Sequence, residues 1–449
     1  MVGEDPSRVA AEFPKCAFEA SRRKHSPTAD LSIFTRVKPE KAHEDVGGEC
    51  HACSMNLPVN ISLMRIVAQG LVPETTSADP HRVVRRMLAT QGQLPSAVPH
   101  SLIVRTATST AADVAAAFTG GSLVRFWPFR GTLHIVAAED HHWLRALWGT
   151  RGGGWFERAI SELRMSQGHV DYARTIAAIR LAAGPATRAD LRSLWVSEGL
   201  AHEMTKEEQN RLVYVMFVQL HRDGTMVSGP LAGNEHLLVK AEPVSADLTG
   251  WAERIEDGDA KTIRRAYAEI ARRYAITRGP ITVADLARWT GAGVAACRQA
   301  LEDALRGPTT EDSEDLFPGI ALTRVHLEGM GFTPCPAPHR SHRDFYMRAD
   351  LPDIVERSRR SALKTLYLAA FDELHVGYKD RSCLTDVAGE KLICPGGNGM
   401  FRPLIIDRGR MVAVNPKSLG LTWYGIPSQR VQRDTERVIR SVERRLGKE

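Results

Sequence analysis

Thr110-Ala111-Ala112-Asp113-Val114 recurs as Thr187-Arg188-Ala189-Asp190-Leu191 and again as Thr282-Val283-Ala284-Asp285-Leu286. In each copy a threonine is followed three residues later by an aspartate and then by an apolar residue. This is a capping-box signal: hydroxyl and carboxylate each satisfy a backbone N–H that the first helical turn leaves free. Each copy therefore opens a helix. The last two copies share a longer prefix, Gly184-Pro185-Ala186 and Gly279-Pro280-Ile281. The copies start 77 and 95 residues apart (110 to 187, 187 to 282), so the repeating unit is domain-sized and not a solenoid period.

The flanks of the copies agree. After the first come Leu123, Val124 and Phe126, a Pro128-Phe129-Arg130-Gly131 turn, and Thr132, Leu133, Ile135 and Val136, which read as a β-hairpin. After the second comes an amphipathic helix carrying Leu212, Val215, Met216 and Val218. Met226-Val227-Ser228, a Gly229-Pro230…Gly233-Asn234 loop and Leu237-Leu238-Val239 then make a second hairpin. Helices precede the second and third copies, over Tyr172 to Ala183 and through Ile263, Tyr267, Ile270 and Tyr274. Three helices followed by a two-stranded wing form the winged-helix unit. The fold class expected is α+β: three tandem winged helices over 59–165, 166–250 and 251–340.

Farther along, Leu366–Phe371, Phe401–Ile406 and Arg410–Val414 read as strands, the last two joined by Asp407-Arg408-Gly409. They predict a small β-barrel over 341–425. Ser428 to Leu446 spaces Val431, Val438, Ile439, Val442 and Leu446 among six arginines, an Arg-rich amphipathic helix within 426–449 whose charged face is solvated or lies on phosphates. Residues 1–58 lack tryptophan, tyrosine and helical period and read as a disordered tail or as sequence ahead of a later start at Met55 or Met64. Cys50-His51-Ala52-Cys53 within it has ligand-like spacing but no second pair, so it reads as free thiols. His141-His142 has no third ligand in view and reads as a surface or capping pair.

Composition excludes several classes of function. The 449 residues are 43% hydrophobic with a net charge of +6, which permits a nucleic-acid partner without demanding one. No apolar run reaches the length of a membrane span. Seven scattered cysteines do not form a secreted disulfide framework, so the expected location is cytoplasmic, associated with the nucleoid.

Several stretches, taken in order, carry a resemblance. They are Gln91-Gly92-Gln93, the run Leu123 to His134, the run Ala370-Phe371-Asp372-Glu373-Leu374-His375 through Ser382, and Gly399-Met400-Phe401-Arg402-Pro403. Together they resemble the AlkZ/YcaQ-type winged-helix DNA glycosylases over about 60–415. The resemblance implies three winged helices plus a barrel, and excision of alkylated purines from double-stranded DNA, with unhooking of interstrand crosslinks in some members. It implies that Gln91 and Gln93 are catalytic, since the family signature is Gln-hydrophobic-Gln or Gln-hydrophobic-Asp. Gly92 departs from the hydrophobic middle residue.

A glutamine pair makes chemical sense for such substrates. Glutamine is no base near neutral pH, but a purine alkylated at N7 or N3 already carries positive charge and leaves neutral. The protein has only to position water and tolerate an oxocarbenium-like sugar, and an amide can accept from water while donating to a sugar or phosphate oxygen. No lysine stands in the motif for a Schiff base, so the activity expected is monofunctional. Neither metal nor cofactor is called for, and the protein is expected to act as a monomer. The sequence leaves open whether the two side chains converge or simply end a helix. Expected DNA contacts are Arg125, Arg130, Thr132 and His134 around the first hairpin, and Lys379, Arg381 and Arg402 in the C-terminal part. Asp372-Glu373 reads as a loop held by ion pairs. The alternative function is a non-catalytic winged-helix DNA-binding protein or regulator. Against it, the third unit's candidate recognition helix, Ala295-Ala296-Cys297-Arg298-Gln299-Ala300, is poor in base-reading side chains. For an enzyme, Gln91 and Gln93 should line one cleft; burial of either in apolar core would end the idea.

Overall fold

A computed structural model describes residues 57–150, 154–241, 250–307, 317–329, 331–335 and 344–448. The expected tail and the Cys50–Cys53 motif lie outside the described residues, apart from Leu57 and Pro58. Leu57 is buried, and its N–H donates to Ser382 Oγ at 2.9 Å.

The chain runs through α1 (Val59–Ala68), α2 (Pro80–Met87), β1 (Ala89–Gln91), α3 (Val98–Ile103), α4 (Ala111–Thr119), β2 (Leu123–Phe129), β3 (Thr132–Ala137), α5 (Ala138–Gly149), α6 (Gly154–Glu162), α7 (Gln167–Ala182), α8 (Arg188–Ser197), α9 (Lys206–Arg222), β4 (Met226–Ala232) and β5 (Glu235–Lys240). It continues with α10 (Trp251–Glu256), α11 (Ala260–Arg278), α12 (Val283–Thr290), α13 (Val294–Leu305), β6 (Leu322–Glu328), β7 (Gly331–Pro334), β8 (Asp344–Arg348), α14 (Leu351–Ala362), β9 (Leu366–Leu368), α15 (Glu373–Val376), α16 (Val387–Ile393), β10 (Leu404–Asp407), β11 (Arg410–Val414), β12 (Thr422–Trp423) and α17 (Gln429–Arg445). The class is α+β.

All three repeat copies form reciprocal capping boxes: Thr110 with Asp113, Thr187 with Asp190 and Thr282 with Asp285 open α4, α8 and α12. Both predicted hairpins form, but they do not stay apart. A five-stranded antiparallel sheet in the order β1-β3-β2-β4-β5 joins them through the pair Arg125↔Ser228. The loop expected at Gly229-Pro230 is strand instead. The register shifts between Ser228 and Leu231, and at such an irregularity a proline without N–H costs no ladder bond. Pro128 sits at the matching shift between Phe126 and Phe129.

Over 341–425, where a barrel is expected, the described strands make an open sheet, β12-β11-β10-β9, while β8 pairs with β6 in a separate sheet, β7-β6-β8. The edge strands β12 and β9 are too short, at two and three residues, to curl round and close a barrel. The expected domain boundaries are also crossed by the cores. One apolar cluster runs from Leu88 through Tyr274 and Trp289 to Tyr378, and another joins Val84, Leu102 and Phe118 to Ile405, Ala413 and Val442 of the C-terminal part. His141 is not at the surface: it is buried edge-on against Phe126 at 4.7 Å, and burial pushes its pKa well down.

In α17, Val431 and Val442 are buried, and Arg445 donates to the carbonyls of Ile103, Thr106 and Ser109, tying the last helix to the end of α3. Other arginines on its face, such as Arg433 and Arg440, are exposed.

Candidate active site

The motif strand is reached through an unusual backbone. Asp79 caps α2 by accepting from Arg82 N, and α2 ends at Leu88, a buried residue with φ +65°. Side chains avoid positive φ, so the position needs outside support. Arg278, fully buried at the end of α11, supplies it by donating to Met87 O at 3.0 Å and Ala89 O at 2.6 Å, on either side of Leu88. Its Nε donates to Glu373 Oε2 at 3.0 Å, and its guanidinium stacks over Trp289 at 4.6 Å.

Glu373 reaches the motif itself. Its Oε1 accepts the backbone N–H of Gln91 at 2.8 Å, across 282 residues of sequence. From the other side Arg125 donates to Gly92 O at 2.7 Å and toward Gln93 O at 3.3 Å. Gly92 N donates to Leu133 O at 2.9 Å, and Leu133 N donates to Gln93 Oε1 at 3.2 Å. The motif is thus held by one arginine, one carboxylate and the edge of β3. Its glycine has a steric reason. A Cβ at position 92 would lie 2.9 Å from Ile135 Cδ1 and 3.2 Å from the backbone of His134 and Ile135. A larger residue there would require β3 and the Ile135 side chain to give way.

Neither glutamine is in apolar core. Gln91 is half-buried and Gln93 is exposed. Gln91 is the register partner of His134, which puts the two side chains on one face of the sheet. His134 is fully buried between Phe129 and Trp289, donates from Nδ1 to Thr132 O at 3.0 Å, and is held neutral because burial pushes its pKa down to about 3. Its Nε2 makes no hydrogen bond.

The expected DNA contacts divide into two groups. Arg125 and His134 face inward, where they brace the motif and its neighbouring strand. Arg130, half-buried at φ +52°, forms the hairpin tip, and Thr132 Oγ1 donates to Phe129 O at 3.3 Å. Lys379 is exposed, Arg381 pairs with Glu390 at 3.2 Å, and Arg402 donates to Leu392 O at 3.2 Å. Asp372 and Glu373 are both buried and ion-paired, Asp372 in a double hydrogen bond with Arg105 at 2.8 Å each. Arg278, Glu373 and Trp289 were not singled out as site residues from sequence. The sequence signal for them is the reading of Asp372-Glu373 as a loop held by ion pairs, which implies a cationic partner without naming it. Among the described residues no group of His, Cys, Asp and Glu could hold a metal ion, and no helix is long and apolar enough to cross a membrane.

The family model for DNA glycosylase AlkZ-like proteins matches residues 84–415, from α2 through β11. The chain belongs to the AlkZ-like DNA glycosylase family. That gives it DNA as partner and base excision as its class of activity. The AlkZ-like match spans the Gln91 strand, Arg125, Arg278 and Glu373, so the whole clamp lies inside it. Among solved structures, the Streptomyces sahachiroi DNA glycosylase AlkZ is similar in fold, with a TM-score of 0.62 at 18% identity, covering 88% of this chain and 98% of that one. No curated protein matches the chain.

Proposed function

We propose that this protein is a monofunctional DNA glycosylase that hydrolyses the N-glycosidic bond of cationic N7- or N3-alkylated, or bulky natural-product, purines in duplex DNA, and that Gln91 and Gln93 are its catalytic residues. The observation that carries the reading is the rigid exposure of the motif. Two amide side chains are presented outside the core on a backbone fixed by Arg125, Glu373 and β3. A pair that merely ended a helix would need no buried ion pair beneath it.

In the reaction the C1′–N bond breaks and its electrons pass to the purine, which leaves neutral because it carried the positive charge. Water bonds to C1′ and gives up its proton to solvent. Gln91 and Gln93 orient that water and accept from it. No general base is required, and the groups nearest the motif fit that restriction. The carboxylate of Glu373 is occupied by Gln91 N–H and Arg278, and His134 stays neutral in the interior. Neutral lesions such as uracil would be poor substrates. Crosslink unhooking follows from the same chemistry if one strand's adduct reaches the motif.

The three helix-and-hairpin runs are read as winged-helix units that grip DNA from one side, with Arg130, Thr132, Lys379, Arg381 and Arg402 at the contact. Arg125 and His134 hold the motif. The protein acts as a monomer, in the cytoplasm with the nucleoid. The alternative, a non-catalytic DNA-binding protein, leaves the clamp on Gln91 unexplained.

The test is single-turnover base release from a duplex carrying one N7-methylguanine, by the parent and by Gln91→Ala and Gln93→Ala. Release by the parent that falls at least a hundredfold in each variant is expected. Release that survives both substitutions would remove the catalytic assignment while keeping the activity.

A further inference from the structure

Helix α12 carries Asp285 and Arg288 one turn apart, and Gly291 caps its C-terminal end at φ +73°. Two distant segments dock at its ends. The loop after Gly377 is pinned at one end, where Lys379 N donates to Asp285 Oδ1 at 2.7 Å. The tip of the first hairpin is seated at the other, where a Cβ on Gly291 would fall 2.9 Å from Arg130 Cγ. Arg381 and Arg130 therefore flank the turn that bears Arg288.

Their acceptors fall short of their donors. Arg381 pairs through Nε with Glu390, which already holds His375 Nε2 at 3.0 Å. Arg381 Nη1 and Arg130 Nε are buried with no hydrogen-bond partner; neutral His375 spends its N–H on Glu390, so its Nδ1 is an acceptor and no donor. Arg288 is exposed and makes no hydrogen bond or ion pair among the described residues. Burial and then the charge of Arg288 hold the Arg130 guanidinium below its ordinary pKa; Arg381 is lowered by burial and by Arg288 against the pull of Glu390 and Asp380. The guanidiniums of Arg130 and Arg288, beside an Arg381 that is paired with Glu390, form a cluster that an incoming anion would stabilise.

We infer that Arg288, Arg130 and Arg381 form a binding site for a single backbone phosphate of DNA. Arg130 ties the site to the motif, because it tips the β2–β3 hairpin and β3 pairs with the motif strand at Gln91↔His134. A phosphodiester offers two unesterified oxygens to several N–H groups at once, and a guanidinium fork matches it. Fixing one phosphate would set the register of the lesion's sugar against Gln91 and Gln93. The inference rests on the DNA glycosylase reading for the identity of the ligand.

The experiment uses the full chain and binding to an undamaged duplex, so it does not depend on base release. Arg288→Gln breaks no bond in the fold and relieves repulsion on Arg130 and Arg381, so the thermal midpoint should not fall. Its affinity for the duplex should fall about tenfold, and the slope of log Kd against log salt should drop by about 0.9, one phosphate contact. A single neutral methylphosphonate is then stepped along both strands. At one position it should weaken the parent as Arg288→Gln does, and the two losses should not add. Arg288→Lys should restore part of the affinity. An unchanged salt slope in Arg288→Gln would overturn the site, as would losses that add at every methylphosphonate position. Inorganic phosphate binding that is lost in Arg288→Gln while duplex binding stays intact would assign the site to a free anion and overturn the DNA reading. If the parent binds DNA as described but releases no base, the glycosylase reading fails and the phosphate site stands.

Discussion

Hairpins β2–β3 and β4–β5 follow the same plan. Each comes after a capped helix, carries a proline at a register shift and turns through a two-residue loop that contains a positive-φ glycine. Their fates differ. β2 is buried along its whole length, in the middle of the five-stranded sheet, whereas β4 is buried for four residues and then emerges, and β5 alternates at the edge. The polar residues carried inward by the first hairpin, Arg125 and His134, surround the Gln91 strand, and Arg125 braces it. In the second hairpin His236 also goes inward, but its Nδ1 finds Gly229 O seven residues away in its own hairpin. The difference rests on Arg125, which reaches Gly92 O on the Gln91 strand, whereas His134 and His236 each bond a carbonyl of their own hairpin.

The contrast can be broken or sharpened by mutation. The largest effect is expected at the clamp. Glu373→Ala leaves Arg278 buried without its counter-charge and should cost about 3–5 kcal/mol, whereas Glu235→Ala on β5 should stay within about 0.5 kcal/mol. Denaturant midpoints give both, and equal losses would erase the distinction between the hairpins. The milder Glu373→Gln keeps an acceptor for Gln91 N–H. Its loss of single-turnover rate should disappear in a Gln91→Ala background, because it acts through that residue.

Next comes the close approach of β1 to β3. Gly92→Ala would press on the backbone of His134 and Ile135 as well as on Ile135 Cδ1, and should cost about 1–3 kcal/mol. Gly229→Ala meets only the side chain of Val239, its closest atom Cγ2 at 2.8 Å, which can turn aside, so its cost should be the smaller of the two. A Gly92→Ala protein as stable as the parent would show that β1 is free to lift. The hairpin tips should behave alike. Gly131 and Gly233 both have positive φ, +67° and +62°, in open space, so alanine at either should cost about 1 kcal/mol.

The remaining effect is read by pH. Burial holds His134 at about 3 and His236 at about 4. Unfolding frees each to bind a proton near its ordinary pKa of 6.5. Their neutral burial is therefore fully compatible with the fold above about pH 6.5, and stability declines as pH falls from there toward 4. Each contributes a slope of at most about 1.4 kcal/mol per pH unit. His134→Asn and His236→Asn should each flatten thermal midpoint against pH by one proton's worth. A steeper contribution from one hairpin would show that its histidine is coupled to a partner.

Much of this architecture is legible in the residues, for local reasons. The capping boxes at Thr110, Thr187 and Thr282, the periodicity of Ile263 to Tyr274 and the Asp407-Arg408-Gly409 turn are short-range signals, and their elements form as read. The Gly229-Pro230 pair misleads because a proline at a register shift and a proline in a loop look alike in one dimension. The barrel reading fails for a similar reason: the strands at 366–414 specify their hairpins, but closure depends on edge strands too short to announce themselves. Gln91 and Gln93 could be named only through a family resemblance, since nothing in the residues around them says whether they face a cleft.

Sequence by itself determined the repeating helix-and-hairpin plan, because capping, periodicity and turn chemistry act over three to eight residues. It also determined that Arg125 and His134 sit on a strand. Only the tertiary fold brings the two hairpins into one sheet, seats the hairpin tip on Gly291 and the loop after Gly377 on Asp285, and sets Glu373 and Arg278 under the Gln91 strand. The last of these depends on a buried carboxylate finding partners 95 and 282 residues away. A lone buried charge must be satisfied, but its own neighbourhood in the sequence does not contain the group that satisfies it.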